Sequence, residues 1–170
     1  FAVWFANQPA KHKVCTPGNH DFLCENKPAY AEKLLAGCGY GICKTVVIEG
    51  LKIYLYPYQP QFYNWAFNVP RWSKRMQELV DAIPDNTDIL VSHGPPFGHR
   101  DMTQRGEAVG CEQLRKKVDS MLNLKLCIFG HVHEAFGTKI SGNTIFANTS
   151  ICTTGYKPTN PISTFELETK

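Results

Sequence analysis

Three apolar, strand-like runs in this chain each stop at a small residue beside a side chain that can bind a metal. The first run ends in Gly18-Asn19-His20, the second in Ser92-His93-Gly94, and the third in Gly130-His131-Val132-His133. Ligands in open α/β sheets bind beyond the carboxyl ends of the strands, so ends far apart in sequence can meet at one place. Four of the six histidines lie at these ends, and only His12 and His99 do not. Imidazole suits Zn, Fe, Ni or Cu, while an amide oxygen such as that of Asn19 suits harder ions such as Mn or Mg. On an extended segment His131 and His133, two apart, project to the same side, so two neighbouring ions could share that loop. Each piece alone has a plainer reading. GNHD can be a polar turn, His93 before Gly94-Pro95-Pro96 a strand end in a rigid loop, and GHVH a surface hairpin. Together, each after a strand, they read as one metal centre.

The rest of the chain supplies the frame. Residues 11–16 read as a strand, and 28–35 as a helix with Pro28 in its first turn and Gly37 beyond its end. "TVVIEGLKIYLY" reads as two strands joined at Glu49-Gly50, the second alternating Leu51, Ile53 and Leu55 with Lys52, Tyr54 and Tyr56. Ser73 N-caps a helix ending near Pro84. Residues 110–122 form another, with Leu114, Val118, Met121 and Leu122 on one face. Residues 140–148 close a hairpin through Gly142-Asn143. Strands alternating with helices specify an α/β sandwich with a mixed sheet. At 170 residues and 43% hydrophobic, the expectation is a single domain spanning 1–170. "FAVWFANQP" reads as the last turns of an amphipathic helix, so the domain is expected to be incomplete at its N-terminus.

The motifs GNHD, SHGPP and GHVH resemble those of the calcineurin-like metallophosphoesterases, whose pattern runs DxH … GDxx … GNH(D/E) … H … GHxH. The wider text "YPYQPQFYNWAFNVPR", "LVSHGPPFGHRD" and "YKPTNPISTFEL" is similar to the branch called metallophosphoesterase domain-containing proteins. The resemblance covers essentially the whole chain. It implies an αββα sandwich and a metal-dependent phosphoric ester hydrolase, a phosphodiesterase using two divalent ions (Mn, Fe, Zn or Mg, with Mn favoured) and a metal-activated water. By motif position Asn19, His93 and His131 would bind one ion and His133 the other. His20 would be catalytic, stabilising the scissile phosphate or protonating the leaving oxygen, with Asp21 orienting its imidazole. No Asp-x-His or Gly-Asp motif precedes Asn19, and Asp21 is the first carboxylate in the chain. The resemblance therefore implies the C-terminal portion of a catalytic domain, lacking its first strand-helix-strand and inactive by itself.

Two rival readings remain. One is a protein that keeps the fold for binding and has lost catalysis; the other is a structural zinc site of histidines and cysteines, although no Cys lies beside these histidines at finger-like spacing. The aromatic loop with Phe62, Tyr63, Trp65 and Phe67 reads either as a stacking surface for a nucleobase or as a small satellite core. Arg71, Arg100 and Arg105 read as surface residues, with phosphate contact the alternative. The formal charge of +3 is spread along the chain, which argues against an extended nucleic-acid surface. No run reaches the roughly 18 apolar residues of a membrane span. Seven cysteines without a CxxC pair, together with no visible signal peptide, favour a reducing, cytoplasmic setting. The expected partner is a small phosphodiester, nucleotides among the candidates.

Overall fold

A computed structural model of the chain describes residues 1–167. Its centre is a six-stranded mixed sheet in the order β1-β2-β5-β6-β8-β7. The strands are β1 (Lys44–Ile48), β2 (Leu51–Tyr56), β5 (Ile89–Ser92), β6 (Leu126–Phe129), β7 (Gly137–Ser141) and β8 (Thr144–Asn148). β2, β5, β6 and β8 run parallel, and β1 and β7 add antiparallel edges. A parallel arrangement demands crossovers. Between β2 and β5 the crossover carries a two-stranded ribbon, β3 (Gln59–Pro60) with β4 (Asn68–Val69), and helix α4 (Lys74–Asp81); between β5 and β6 it carries α5 (Glu112–Ser120). Before the sheet lie α1 (Ala2–Ala6), α2 (Phe22–Asn26) and α3 (Pro28–Leu34).

The pleat explains the layers. Tyr54 and Tyr56 of β2, Leu90 of β5, Cys127 and Phe129 of β6 and Phe146 of β8 pack under the two helices, against Met76, Leu79 and Val80 of α4 and Leu114 and Val118 of α5. The alternate residues Ile53, Leu55, Ile89, Leu126 and Ala147 form the other face, with Val14, Phe165 and Leu167 packed against them. The paired row Ile53, Ile89, Leu126 and Ile145 crosses four strands in register. Both faces of β2 are therefore apolar and largely buried, as central parallel strands require. The β1–β2 turn is built by Glu49 at φ 48° and Gly50 at φ 84°, the paired positive angles of a type I′ hairpin.

Three expectations need correction. Residues 11–16 form no strand of the sheet: Cys15 makes one isolated parallel bridge to Tyr40, donating its N–H to Gly39 and accepting from Gly41. Leu122 is exposed, because α5 ends at Ser120 and Met121 turns extended at ψ 91°, taking Leu122 off the apolar helix face. The first strand of the last hairpin is longer than read, beginning at Gly137. Helix α1 buries none of its residues. No helix among the described residues is long and apolar enough to cross a membrane.

Candidate metal centre

β5 and β6 are adjacent and parallel, so their carboxyl ends open on the same edge of the sheet. The chain leaves β5 at Ser92 and β6 at Phe129, and the next residues remain coupled, with Gly130 N–H donating to His93 O at 3.0 Å. The His93 N–H in turn donates to Tyr56 O of β2 at 2.9 Å. This backbone lattice fixes where His93 and His131 begin.

The third contributor arrives from the GNHD loop. Gly18 lies flat on the His93 ring: a Cβ built there would fall 2.4 Å from His93 Cε1 and Nδ1. Only glycine permits that approach. Asn19, 4% exposed, then presents its amide oxygen 2.7 Å from His93 Nε2. His131 Nδ1 stands 3.1 Å from the same nitrogen. His131 takes φ 68°, a left-handed conformation that is uncommon for residues other than glycine and often found at functional sites.

Asn19 Oδ1, His93 Nε2 and His131 Nδ1 thus face one another. One ring proton cannot serve both short contacts at full strength, whereas a cation among the three donors satisfies every lone pair. Bonds of about 2.0–2.1 Å place neighbouring donors of an octahedron about 3 Å apart, close to the observed spacing. Protonation of the imidazoles, which would block metal binding, is disfavoured. Burial, reinforced by His131, His20 and His133, lowers His93 to about 3. Burial, with His133 and His20, lowers His131 to about 4. The donors are ready to coordinate at neutral pH, and their chemistry fits a divalent ion.

His133 is held separately. Its Nδ1 is 3.1 Å from Thr153 O; a carbonyl only accepts, so Nδ1 carries the proton and Nε2 keeps its lone pair. That is the usual way of orienting a ligating histidine from behind. β6 has already ended and His133 opens a 3₁₀ turn, His133–Ala135, so strand alternation does not relate the two histidines. Buried Asn148 holds the loop between them, donating to Val132 O at 2.8 Å. Tyr156 meets the His133 ring edge-on, with centroids 5.2 Å apart.

His20 is exposed and lies against Trp65, ring centroids 4.8 Å apart. Asp21 turns to the backbone: Oδ2 accepts from Gly18 N–H at 2.7 Å and braces the loop that carries His20. No hydrogen bond joins Asp21 to His20 among the described residues. Arg71 bonds Gly110 O, Val109 O and Glu112, and Arg100 bonds Ala135 O and Phe136 O, so both serve the framework.

Two contributors escaped the sequence reading, the Thr153 carbonyl and the Asn148 amide. A backbone carbonyl has no residue signature, and Asn148 reads as an ordinary strand end. All seven cysteines are free. No group of three or more His, Cys, Asp or Glu side chains among the described residues is arranged to hold a metal, which leaves a histidine–cysteine zinc site without a ligand set. The convergence seen is two imidazoles and an amide.

Comparison with known proteins gives the family of the chain. The chain is 33% identical over 193 aligned residues to metallophosphoesterase domain-containing protein 1 of Homo sapiens, and equally to that of Mus musculus. Each alignment covers 99% of this chain and 59% of the relative, so the chain spans about three fifths of those proteins. A UPF0046 protein of Caenorhabditis elegans is 36% identical over 122 residues, covering 72% of this chain and 31% of that protein. A solved crystal structure superposes with a TM-score of 0.63 at 20% identity, covering 88% of this chain and 62% of the other, and so shares its α/β fold. A sequence model of the calcineurin-like phosphoesterases matches residues 1–135. The chain belongs to the calcineurin-like phosphoesterase family, whose members use divalent metal ions.

Proposed function

We propose that the protein carrying this chain hydrolyses phosphodiesters at a centre of two divalent metal ions. The observation that carries the reading is the convergence of Asn19 Oδ1 and His131 Nδ1 on His93 Nε2 at 2.7 and 3.1 Å. Those three side chains would hold one ion and His133 Nε2 would hold the second. The Asn19 amide oxygen suits manganese, the ion proposed here, while the imidazoles equally accept iron or zinc. Bound there, divalent ions supply Lewis acidity toward phosphoryl oxygens and make water acidic enough to attack near neutral pH. The chain's own residues do the remaining work. Neutral His93 and His131 keep their lone pairs for coordination, the Thr153 carbonyl holds the His133 tautomer, and Asp21 steadies the loop. Exposed His20 would give a proton to the leaving oxygen.

A second reading, a family member that binds without catalysis, draws on the neutrality of the donor set. Asn19, His93 and His131 bring no carboxylate to the convergence, and neutral ligands hold a divalent cation less firmly than charged ones. Equilibrium dialysis against Mn²⁺, followed by assay on bis(p-nitrophenyl) phosphate and p-nitrophenyl phosphate, separates the readings. Ions bound and the diester cleaved faster is the expected result. Faster cleavage of the monoester would make the protein a phosphatase. Bound ions with neither ester cleaved would establish the binding protein.

A further inference from the structure

We propose that Arg100 is a positioning residue for the second metal ion, its guanidinium fixing the turn that carries His133. The inference rests on the assignment of His133 Nε2 to that ion and deepens it.

Arg100 starts from a fixed root. Its backbone takes φ 50°, a left-handed angle that is uncommon for residues other than glycine and concentrated at functional sites. Both of its chain neighbours are buried. His99 lies flat on Phe146 of β8, ring centroids 3.6 Å apart. Asp101 Oδ2 accepts from Gly98 N–H at 2.9 Å and from Gly110 N–H at 3.0 Å. The backbone that launches the side chain is thus held on both sides.

The guanidinium ends on two backbone carbonyls. Nε donates to Ala135 O at 3.0 Å, and Nη2 donates to Phe136 O. Gly137 makes the approach possible, since a Cβ there would fall 2.6 Å from Nη2. The carbonyls lie at the far end of the 3₁₀ turn His133–Ala135. The near end is tied to the same residue: Asn148 Nδ2 donates to Val132 O at 2.8 Å and to Arg100 O at 3.2 Å. His133 therefore sits between two clamped points, and Arg100 takes part in both.

The clamp matters because His133 needs its ring in one place. Nδ1 meets Thr153 O at 3.1 Å, and that contact reserves the Nε2 lone pair for a metal. With the turn released, the ring loses the carbonyl and either nitrogen can carry the proton. His131 has a different support, Gly130 N–H donating to His93 O at 3.0 Å. Loss of Arg100 should disturb the second ion and spare the first. A charged fork on two acceptors is strong and directional; lysine, a point charge, reproduces it only in part.

Two readouts test the proposal, one of them without metal. Long-range ¹H–¹⁵N spectra of the metal-free protein, taken above neutral pH where imidazole is uncharged, report the His133 tautomer. Wild type should carry the proton on Nδ1, and R100A should show both tautomers in exchange. R100K should lie between them, and added guanidinium ion should return R100A toward wild type. R100K, which keeps the charge, carries the same comparison if R100A does not fold. Ser73→Ala, which removes the cap of α4, controls for lost stability and should leave the tautomer unchanged. Dialysis against Mn²⁺ should find the second ion bound about tenfold more weakly in R100A, with the first unaltered. A wild-type tautomer in R100A, or equal weakening of both ions, overturns the proposal. If R100A changes the tautomer while wild type binds no Mn²⁺, Arg100 stands as the support of His133 and the metal reading falls.

Discussion

Gly18 shows how little room the site leaves at the scale of single residues. An alanine methyl group would lie 2.4 Å from two atoms of the His93 ring, a ring whose Nε2 is already engaged by Asn19 and His131. Gly18→Ala should shift His93 out of register with Asn19 and His131. The expected outcome is at least tenfold weaker Mn²⁺ binding by dialysis, with a stability loss of about 1–3 kcal/mol by urea titration. His99 supplies the second residue-scale case. It is fully buried, stacked on Phe146 at 3.6 Å and 13°, and neither ring nitrogen has a hydrogen-bond partner among the described residues. Burial first, then Arg115 and Lys139, lowers it from 6.5 to about 4. The folded state therefore prefers the neutral ring. Its contribution is fully present above pH 6.5 and is lost as the pH falls toward 4, to the extent of up to about 3 kcal/mol. His99→Phe should flatten that part of the stability profile and raise stability at pH 5, read by denaturant unfolding across pH 4–8. An unchanged profile would show that His99 is not its source.

At the scale of elements, the helices owe their ends to short polar signals and their positions to the sheet. Ser73 Oγ accepts from Met76 N–H at 3.1 Å, while Met76, Leu79 and Val80 face the core. Ser73→Ala should cost about 1 kcal/mol, seen as a lower urea midpoint with unchanged slope. Helix α5 begins with a weaker device, the Cys111 thiol accepting from Leu114 N–H at 3.4 Å. These helices were legible because period and cap coincide: α4 and α5 fall inside the stretches expected of them. The segment before Asn19 was misread because Val14 and Cys15 have strand-like character while their pairing is a single bridge to Tyr40. Propensity describes a residue, whereas a strand also requires a partner in register.

Across the whole molecule, the centre joins segments separated by 74 and 38 residues, from Asn19 to His93 and from His93 to His131. An ion held by all three binds the folded chain and not the unfolded one. At 100 times its dissociation constant, Mn²⁺ should stabilise the protein by about 2.7 kcal/mol. That corresponds to about 5–10 °C in melting temperature for a chain of this size. Chelation should remove the increment, and His93→Ala should abolish it. A melting temperature indifferent to Mn²⁺ in the unsubstituted protein would argue against a site formed by folding.

The amino-acid sequence by itself determined the α/β class, the order of most elements and the donor types offered at the strand ends. Hydrophobic period, caps and turn residues act within a few positions, and GNHD, SHG and GHVH carry their donors in plain view. Tertiary structure alone decided the rest. The adjacency of β5 and β6 brought His93 to His131, the Thr153 carbonyl chose the His133 tautomer, and Asp21 turned to Gly18 rather than His20. The pairing of strands also left Phe62 and Tyr63 outside the core that took Phe67. Such outcomes depend on contacts between residues tens of positions apart, and those contacts exist only once the sheet has formed.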